Sequence, residues 1–222
     1  MRLLICTAIL LACAGCQNAA TDPARGDPIL REAREKLTYQ GKPILPYFLN
    51  DFAGGPGAPD YMTEETLAGW GTRICAVAVD GLLSEDHGGA YGGQKTRHLH
   101  GFYCFDHYEN PSDPTHETYN GYFGYRFVGT TPGGTTVLEY LVGGSGSMII
   151  QGVLLVRFDM EQAGVTPKER HKRLVMRFLQ EMSWGDRVER DVRLEGNRLV
   201  LGTTRPLLPG FDVESAETIP LE

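Results

Sequence analysis

From Thr72 onward the chain is a succession of β-rich runs separated by turns that contain glycine or proline. Turn signals lie at 130–135, 143–147 and 195–197, and strands joined by short loops usually pair antiparallel. The pattern predicts a mainly β domain, an antiparallel meander that forms a barrel or a curved sheet or sandwich. The runs richest in β-branched and aromatic residues are 73–79, 98–106, 118–128, 136–142, 148–158, 187–194 and 198–201.

An N-terminal helix is predicted to precede the strands. Asp27 is a good N-cap, and Pro28 suits the first helical position because its fixed φ matches the helix. The apolar residues that follow at helical spacing are Ile29, Leu30, Ala33 and Leu37.

The segment 166–183 is harder to interpret. Its first four residues, Thr-Pro-Lys-Glu, form a capping-box pattern, which predicts one short helix near 167–172. The apolar residues of 173–183 fit a helix as well as a strand, so that segment stays open at this point.

The charge balance argues against a nucleic-acid partner. The formal net charge is −7, from 21 basic and 28 acidic residues. Binding to a phosphate backbone needs a clustered positive surface. The largest basic cluster, 168–173, is short and includes Glu169, so it is interpreted as a solvated face.

The first sixteen residues, MRLLICTAILLACAGC, predict export. One charge at Arg2 precedes an apolar run over 3–12, which is too short to span a bilayer and is typical of a secretory signal. Small residues, a cysteine and a polar segment follow, and this pattern resembles a bacterial lipoprotein signal peptide. The resemblance implies cleavage before a cysteine that carries acyl chains such as palmitate. We expect a signal peptide over 1–15, a lipid-anchored tether over 16–26 and a single β-rich domain over 27–222.

Two cysteines are candidates for the modified residue. Cys16 follows Ala14 and Gly15, the small residues that such a cleavage site prefers, and it is the favoured site of attachment. Cys13 is the alternative, although the bulky Leu11 would then stand close to the cut. The residue after Cys16 is Gln17 and not Asp, so the resemblance implies the periplasmic face of the outer membrane in a cell with two membranes.

Two further cysteines, Cys75 and Cys104, lie in the domain itself. Export leads to an oxidising compartment, so the pair is a candidate disulfide. The alternative is two buried free thiols, because cysteine is among the residues most often buried.

The stretch 96–107, TRHLHGFYCFDH, is the strongest candidate for chemistry. If 98–106 is one strand, His98 and His100 project from the same face and could bind zinc. Candidate further ligands are Asp106, His107 and His116. The spacing matches no known metal motif, and histidines at strand ends and in loops need no ligand, so no cofactor is predicted beyond this candidate zinc.

No residue is predicted to be catalytic. The run Gly144-Ser145-Gly146 lacks the strand-to-helix elbow of a serine nucleophile. Cys104 lies between Tyr103 and Phe105, which indicates burial and not an activated thiolate.

Aromatic residues are concentrated over 102–127 and are either the sheet's core or a ligand-binding surface. The leading interpretation is a non-enzymatic binding or interaction module for a small apolar molecule, a lipid, a glycan or an envelope protein. The alternatives are a metal-dependent hydrolase at His98 and His100 and a structural envelope component. The closing stretch 185–197 resembles that of uncharacterised bacterial proteins and implies no function. The candidate ligand-binding aromatics are Tyr103, Tyr119, Tyr122 and Tyr125.

Overall fold

The structure is a computed structural model that describes residues 27–52, 75–83, 96–108, 119–144, 149–163, 168, 171–207 and 213–221. Its helices are α1 (Pro28–Lys36) and α2 (Phe48–Phe52), with a 3-10 turn over Val79–Leu83. Its strands are β1 (Thr38–Tyr39), β2 (Lys42–Pro43), β3 (Ala76–Ala78), β4 (Thr96–Leu99), β5 (Phe102–Tyr108), β6 (Tyr119–Thr130), β7 (Thr135–Gly144), β8 (Ile149–Ala163), β9 (His171–Asp186), β10 (Val188–Glu189), β11 (Val192–Glu195), β12 (Arg198–Leu201), β13 (Arg205–Pro206) and β14 (Glu217–Pro220).

A curled antiparallel sheet of seven strands forms the framework, which confirms the predicted mainly β fold. Its order is β3-β9-β8-β7-β6-β5-β4, so β4 to β9 form a meander and β3 pairs outside β9. Between β6 and β7 the chain turns at Thr131, whose side chain accepts a hydrogen bond from the Thr135 amide at 3.0 Å. Short connections of this kind make antiparallel pairing the simplest solution.

The predicted N-terminal helix is also confirmed. The carboxylate of Asp27 accepts hydrogen bonds from the amides of Ile29 and Leu30, and Leu37 ends the helix in a left-handed conformation. Arg34 ties α1 to the sheet, because its Nη2 donates to the Phe158 carbonyl oxygen at 2.9 Å.

Alternation along the strands gives the large sheet two different faces. We call the side that α1 and α2 cover the helix face. Its core includes Tyr125, Tyr140 and Leu154 together with Phe48 and Phe52 from α2. The aromatic strands predicted from the sequence therefore supply much of this core.

The opposite side, which we call the outer face, is covered in part by the C-terminal segment. Strands β11, β12 and β14 form a three-stranded sheet. Leu199 and Leu201 of β12 belong to one buried cluster with Val137 and Val153 of the large sheet. The contact is close at Gly129, where an added Cβ would lie 3.0 Å from Leu194 Cδ2. Both faces of the central strands are thus buried, which explains their nearly continuous apolar sequence.

The segment 173–183, for which the sequence allowed either a helix or a strand, is part of a strand. Strand β9 pairs with β8 from Ala163↔His171 to Ile150↔Asp186. The backbone partners supplied by β8 over this length settle the choice that periodicity left open. Of the short helix expected near 167–172, residues 171–172 belong to β9, which corrects that part, and 167, 169 and 170 lie outside the described residues.

The candidate disulfide between Cys75 and Cys104 is absent from the structure, which is a correction. Cys75 directly precedes β3 and Cys104 is in β5, and four strands (β9, β8, β7 and β6) separate β3 from β5 in the sheet order. Adjacent strands lie ~4.8 Å apart, whereas a disulfide needs Cβ atoms about 4 Å apart. Cys104 is buried as expected, but Cys75 is exposed.

We predict that Tyr125→Phe lowers the free energy of unfolding by about 1–2 kcal/mol, because a buried carbonyl loses its donor. The Tyr125 hydroxyl donates to the Ile44 carbonyl oxygen at 2.6 Å and links the segment before α2 to β6. The measurement is urea unfolding of both proteins.

The matched control is Tyr103→Phe on the neighbouring strand of the same face, where the tyrosine is only half-buried. If both variants lose the same free energy of unfolding, the hydrogen bond of Tyr125 does not stabilise the fold as predicted.

Candidate functional site

His98 and His100 do not share a strand face, which corrects the premise of the metal hypothesis. Strand β4 ends at Leu99, which pairs with Phe102, and His100 and Gly101 form the two-residue turn between them. Their φ angles are +49° and +85°, as a tight hairpin turn requires. The pair His-Gly was the available sequence signal, because histidine tolerates positive φ better than most residues.

The other predicted ligands are also distributed differently. Asp106 is buried, and its carboxylate accepts a hydrogen bond from Arg97 Nε at 2.9 Å. The side chain of His107 and all of His116 lie outside the described residues. Among the described residues, no three His, Cys, Asp or Glu side chains form a group that could hold a metal ion. The zinc hypothesis therefore stays a prediction.

Cys104 is buried under the outer face next to the Arg97–Asp106 pair. Burial raises the pKa of its thiol to about 11, although the positive charge of Arg97 opposes the shift. The thiol is thus protonated at neutral pH and is a poor nucleophile, in agreement with the prediction that it is not activated.

The candidate ligand-binding tyrosines fall into different environments. Tyr125 is buried in the helix face, and Tyr103 packs edge-to-face against it with ring centroids 5.9 Å apart. The side chain of Tyr119 lies outside the described residues. Of the three candidate tyrosines whose side chains the structure describes, only Tyr122 points to the outer face and lines a cavity. Its ring lies against Gly143 of the next strand, where a Cβ would overlap it.

That cavity is a cleft of about 360 Å³ between the outer face and the C-terminal segment. This volume lies within the usual range for small-molecule sites, roughly 300–1,000 Å³. The floor is formed by β5, β6, β7 and β8, the His100 turn lies at one side, and β10 and β13 supply the facing wall. The residues that line it are His100, Phe102, Tyr122, Arg126, Glu139, Leu141, Ile149, Gln151, Glu189, Arg190, Asp191, Arg205 and Leu207.

A charged pair, Arg126 and Glu139, stands on the floor of the cleft. Nε and Nη2 of Arg126 both donate to Oε2 of Glu139, at 3.1 and 2.5 Å. The Glu139 side chain is 4% exposed and that of Arg126 is 46% exposed, so the pair runs from the interior to solvent. The guanidinium also lies 5.1 Å from the ring centroid of Phe102.

Burial raises the pKa of Glu139, and the nearby carboxylates of Asp191 and Glu189 add to this effect. The hydrogen bond and the positive charge of Arg126 act in the opposite direction. The floor of the cleft is therefore a place where negative charge is costly without a cation beside it.

The wall holds its two arginines in internal contacts. Arg190 is buried and donates to the carbonyl oxygens of Gly202 and Ser215. Arg205 pairs through both terminal nitrogens with the carboxylate of Asp191, at 2.9 and 3.2 Å. These contacts fix the shape of the wall.

Two polar side chains in the cleft have no polar partner among the described residues. The Gln151 amide and the Glu189 carboxylate each line the cavity, and neither has a side-chain hydrogen bond or ion pair with the described residues. Convergent polar groups in a partly apolar cavity are the usual mark of a ligand site. The cleft can therefore bind a molecule that offers both hydrogen-bond donors and an apolar part.

Sequence reasoning missed this cleft because its residues come from six separate strands and two turns between His100 and Leu207. One signal was present. Glu139 interrupts the apolar run of β7, and a charged residue within such a run indicates a buried partner or a site.

No family model, curated protein or solved structure matches the chain. In the part of the chain that the structure describes, no helix is long and apolar enough to cross a membrane.

We predict that Glu139→Gln changes the pH dependence of stability. The native state holds the Glu139 proton more tightly than the unfolded chain, so the wild-type free energy of unfolding loses a contribution as pH rises through and above 4.5, the ordinary pKa. The glutamine variant lacks this decline. Urea unfolding at several pH values between 4 and 7 measures it.

An exposed carboxylate on β11, removed in Glu195→Gln, controls for the loss of one negative charge. If the Glu139→Gln and wild-type curves run parallel over this range, the raised pKa of Glu139 is wrong.

Proposed function

We propose that this protein is a lipid-anchored cell-envelope protein whose β-rich domain binds a small molecule in the outer-face cleft. The main support for binding is that two polar side chains of the cleft, Gln151 and Glu189, have no polar partner among the described residues and lie in a cavity with a partly apolar floor. The anchoring part rests on the resemblance of residues 1–16 to a lipoprotein signal peptide.

Binding is favoured over catalysis by the state of the charged groups. Glu139 is held by Arg126, Asp191 is held by Arg205, and the Cys104 thiol is buried and protonated. Groups held in this way can position a ligand, whereas a general acid or base must be free to exchange its proton with a substrate.

The proposed tether would give the domain limited freedom above the membrane. Residues 16–26 could extend to at most ~40 Å, at about 3.5 Å for each residue. The domain would thus stay near the membrane surface while its cleft samples molecules in the envelope.

We predict that Cys16→Ser releases the protein from the membrane fraction and abolishes incorporation of labelled fatty acid, because the variant lacks the thiol that takes the diacylglycerol. Cys13→Ser, three residues earlier, is the matched control and should leave both unchanged. Membrane fractionation and acyl labelling measure the two effects. Release by Cys13→Ser with retention by Cys16→Ser would instead assign the attachment to Cys13.

We predict that Gln151→Trp fills the cleft and removes the small molecules that co-purify with the protein. Gln151 is half-buried and lines the cleft, so an indole there competes with any occupant. The measurement is mass spectrometry of the compounds released from the denatured, purified protein.

Gln180→Trp makes the same substitution at an exposed position of β9 that does not line the cleft. It should retain the wild-type set of compounds. If the two variants and the wild type release the same compounds in equal amounts, the cleft is not the binding site.

A further inference from the structure

We infer that the ligand of the cleft is a zwitterionic amide, namely a short peptide with a free ammonium group, a free carboxylate and an aliphatic side chain. This inference rests on the proposed binding function and assigns its chemical class.

The charge pattern of the cleft matches a ligand that carries both signs. Three basic and three acidic side chains line it, so the formal charges cancel. A ligand with one sign of charge would meet repulsion from half of these groups, whereas a zwitterion can place each end beside its opposite. The six residues are Arg126, Arg190, Arg205, Glu139, Glu189 and Asp191.

Bonding capacity remains for each end of such a ligand. Arg126 uses Nε and Nη2 on Glu139, which leaves its Nη1 to donate to a carboxylate. The Glu189 carboxylate has no ion pair or side-chain hydrogen bond within the described ranges, and it can accept hydrogen bonds from an ammonium group. Hydrogen bonds between charged partners are the strongest ones available in such a site.

The side chain of Gln151 favours a ligand that contains an amide group. A primary carboxamide offers one carbonyl acceptor and two N–H donors, so it can donate to the carbonyl oxygen of a peptide group or accept from its N–H. The half-buried Gln151 amide lies in the cleft with no partner among the described residues. The trans peptide group of the ligand directs its N–H and its C=O to opposite sides, so either one can be the partner of the Gln151 amide.

The apolar part of the cleft favours a ligand with an aliphatic side chain. Phe102, Leu141 and Ile149 lie on the floor beside the charged pair. The Phe102 ring is already covered on one side by the Arg126 guanidinium, and the Tyr122 ring has Arg97 5.6 Å from its centroid and Gly143 beneath it. These rings are therefore less open to stacking by a flat sugar face, and an aliphatic group fits the remaining surface better.

The test is calorimetric titration of the full chain, purified in detergent, with glycyl-leucine, N-acetyl-glycyl-leucine and glycyl-leucinamide. We expect glycyl-leucine to bind and each blocked form to bind about tenfold more weakly, since a charge-assisted hydrogen bond contributes about 1.5 kcal/mol. Glu189→Gln should weaken glycyl-leucine by a similar factor and leave the acetylated form unchanged. The exposed Glu195→Gln is the matched control and should bind all three as the wild type does.

Two results would overturn the inference: no binding of glycyl-leucine, or equal binding of all three compounds. The proposed function has a separate test, because Gln151→Trp would still lose co-purifying compounds that Gln180→Trp retains. In that case the cleft is a binding site for another chemical class, whereas failure of both experiments removes the site itself.

Discussion

The pairing of β8 with β9 is the contact on which the rest of the structure depends. Its ladder runs from Ala163↔His171 to Ile150↔Asp186, and β3 adds to the far side of β9. The pairing fixes where β9 ends, at the position where Arg187 adopts a positive φ of 55° and the chain turns. Strand β10 follows at once, so the end of this ladder determines where the C-terminal segment crosses the outer face.

The cleft exists because the C-terminal segment covers only part of the outer face. The three-stranded sheet buries Val137 and Val153 near the middle of the large sheet. Toward β5 the outer face is occupied by Phe102, Cys104 and Leu141, which form a separate small cluster. The cleft lies where Leu141 and its neighbours face β10 and β13 without filling the space between them. The buried carboxylate of Glu139 is tolerated at this point because its partner, Arg126, is partly exposed to solvent.

Much of the fold could be predicted from local signals. The caps of α1, the strand runs over 119–163 and the Gly196-Asn197 turn between β11 and β12 are each encoded within a few residues. Segment 173–183 could not be assigned in this way, since its pattern suits two structures and only its partner β8 decides between them. The local pattern stated no preference there, and the tertiary pairing made the choice.

The candidate site was far less predictable than the fold. The residues of the histidine stretch are close in sequence, but His98 lies in β4 whereas His100 lies in the turn that follows it. The cleft draws on residues up to 107 positions apart, from His100 to Leu207, and no local pattern joins them. The local sequence indicates the site only at Glu139, which places a carboxylate within a buried strand.

The two-faced sheet also has a geometric consequence for the proposed anchor. The tether would join the domain at Asp27, the cap of α1, and α1 packs on the helix face. The cleft opens on the outer face, on the other side of the same sheet. The sheet would then separate the point of attachment from the entrance to the cleft, so lipid attachment need not block that entrance.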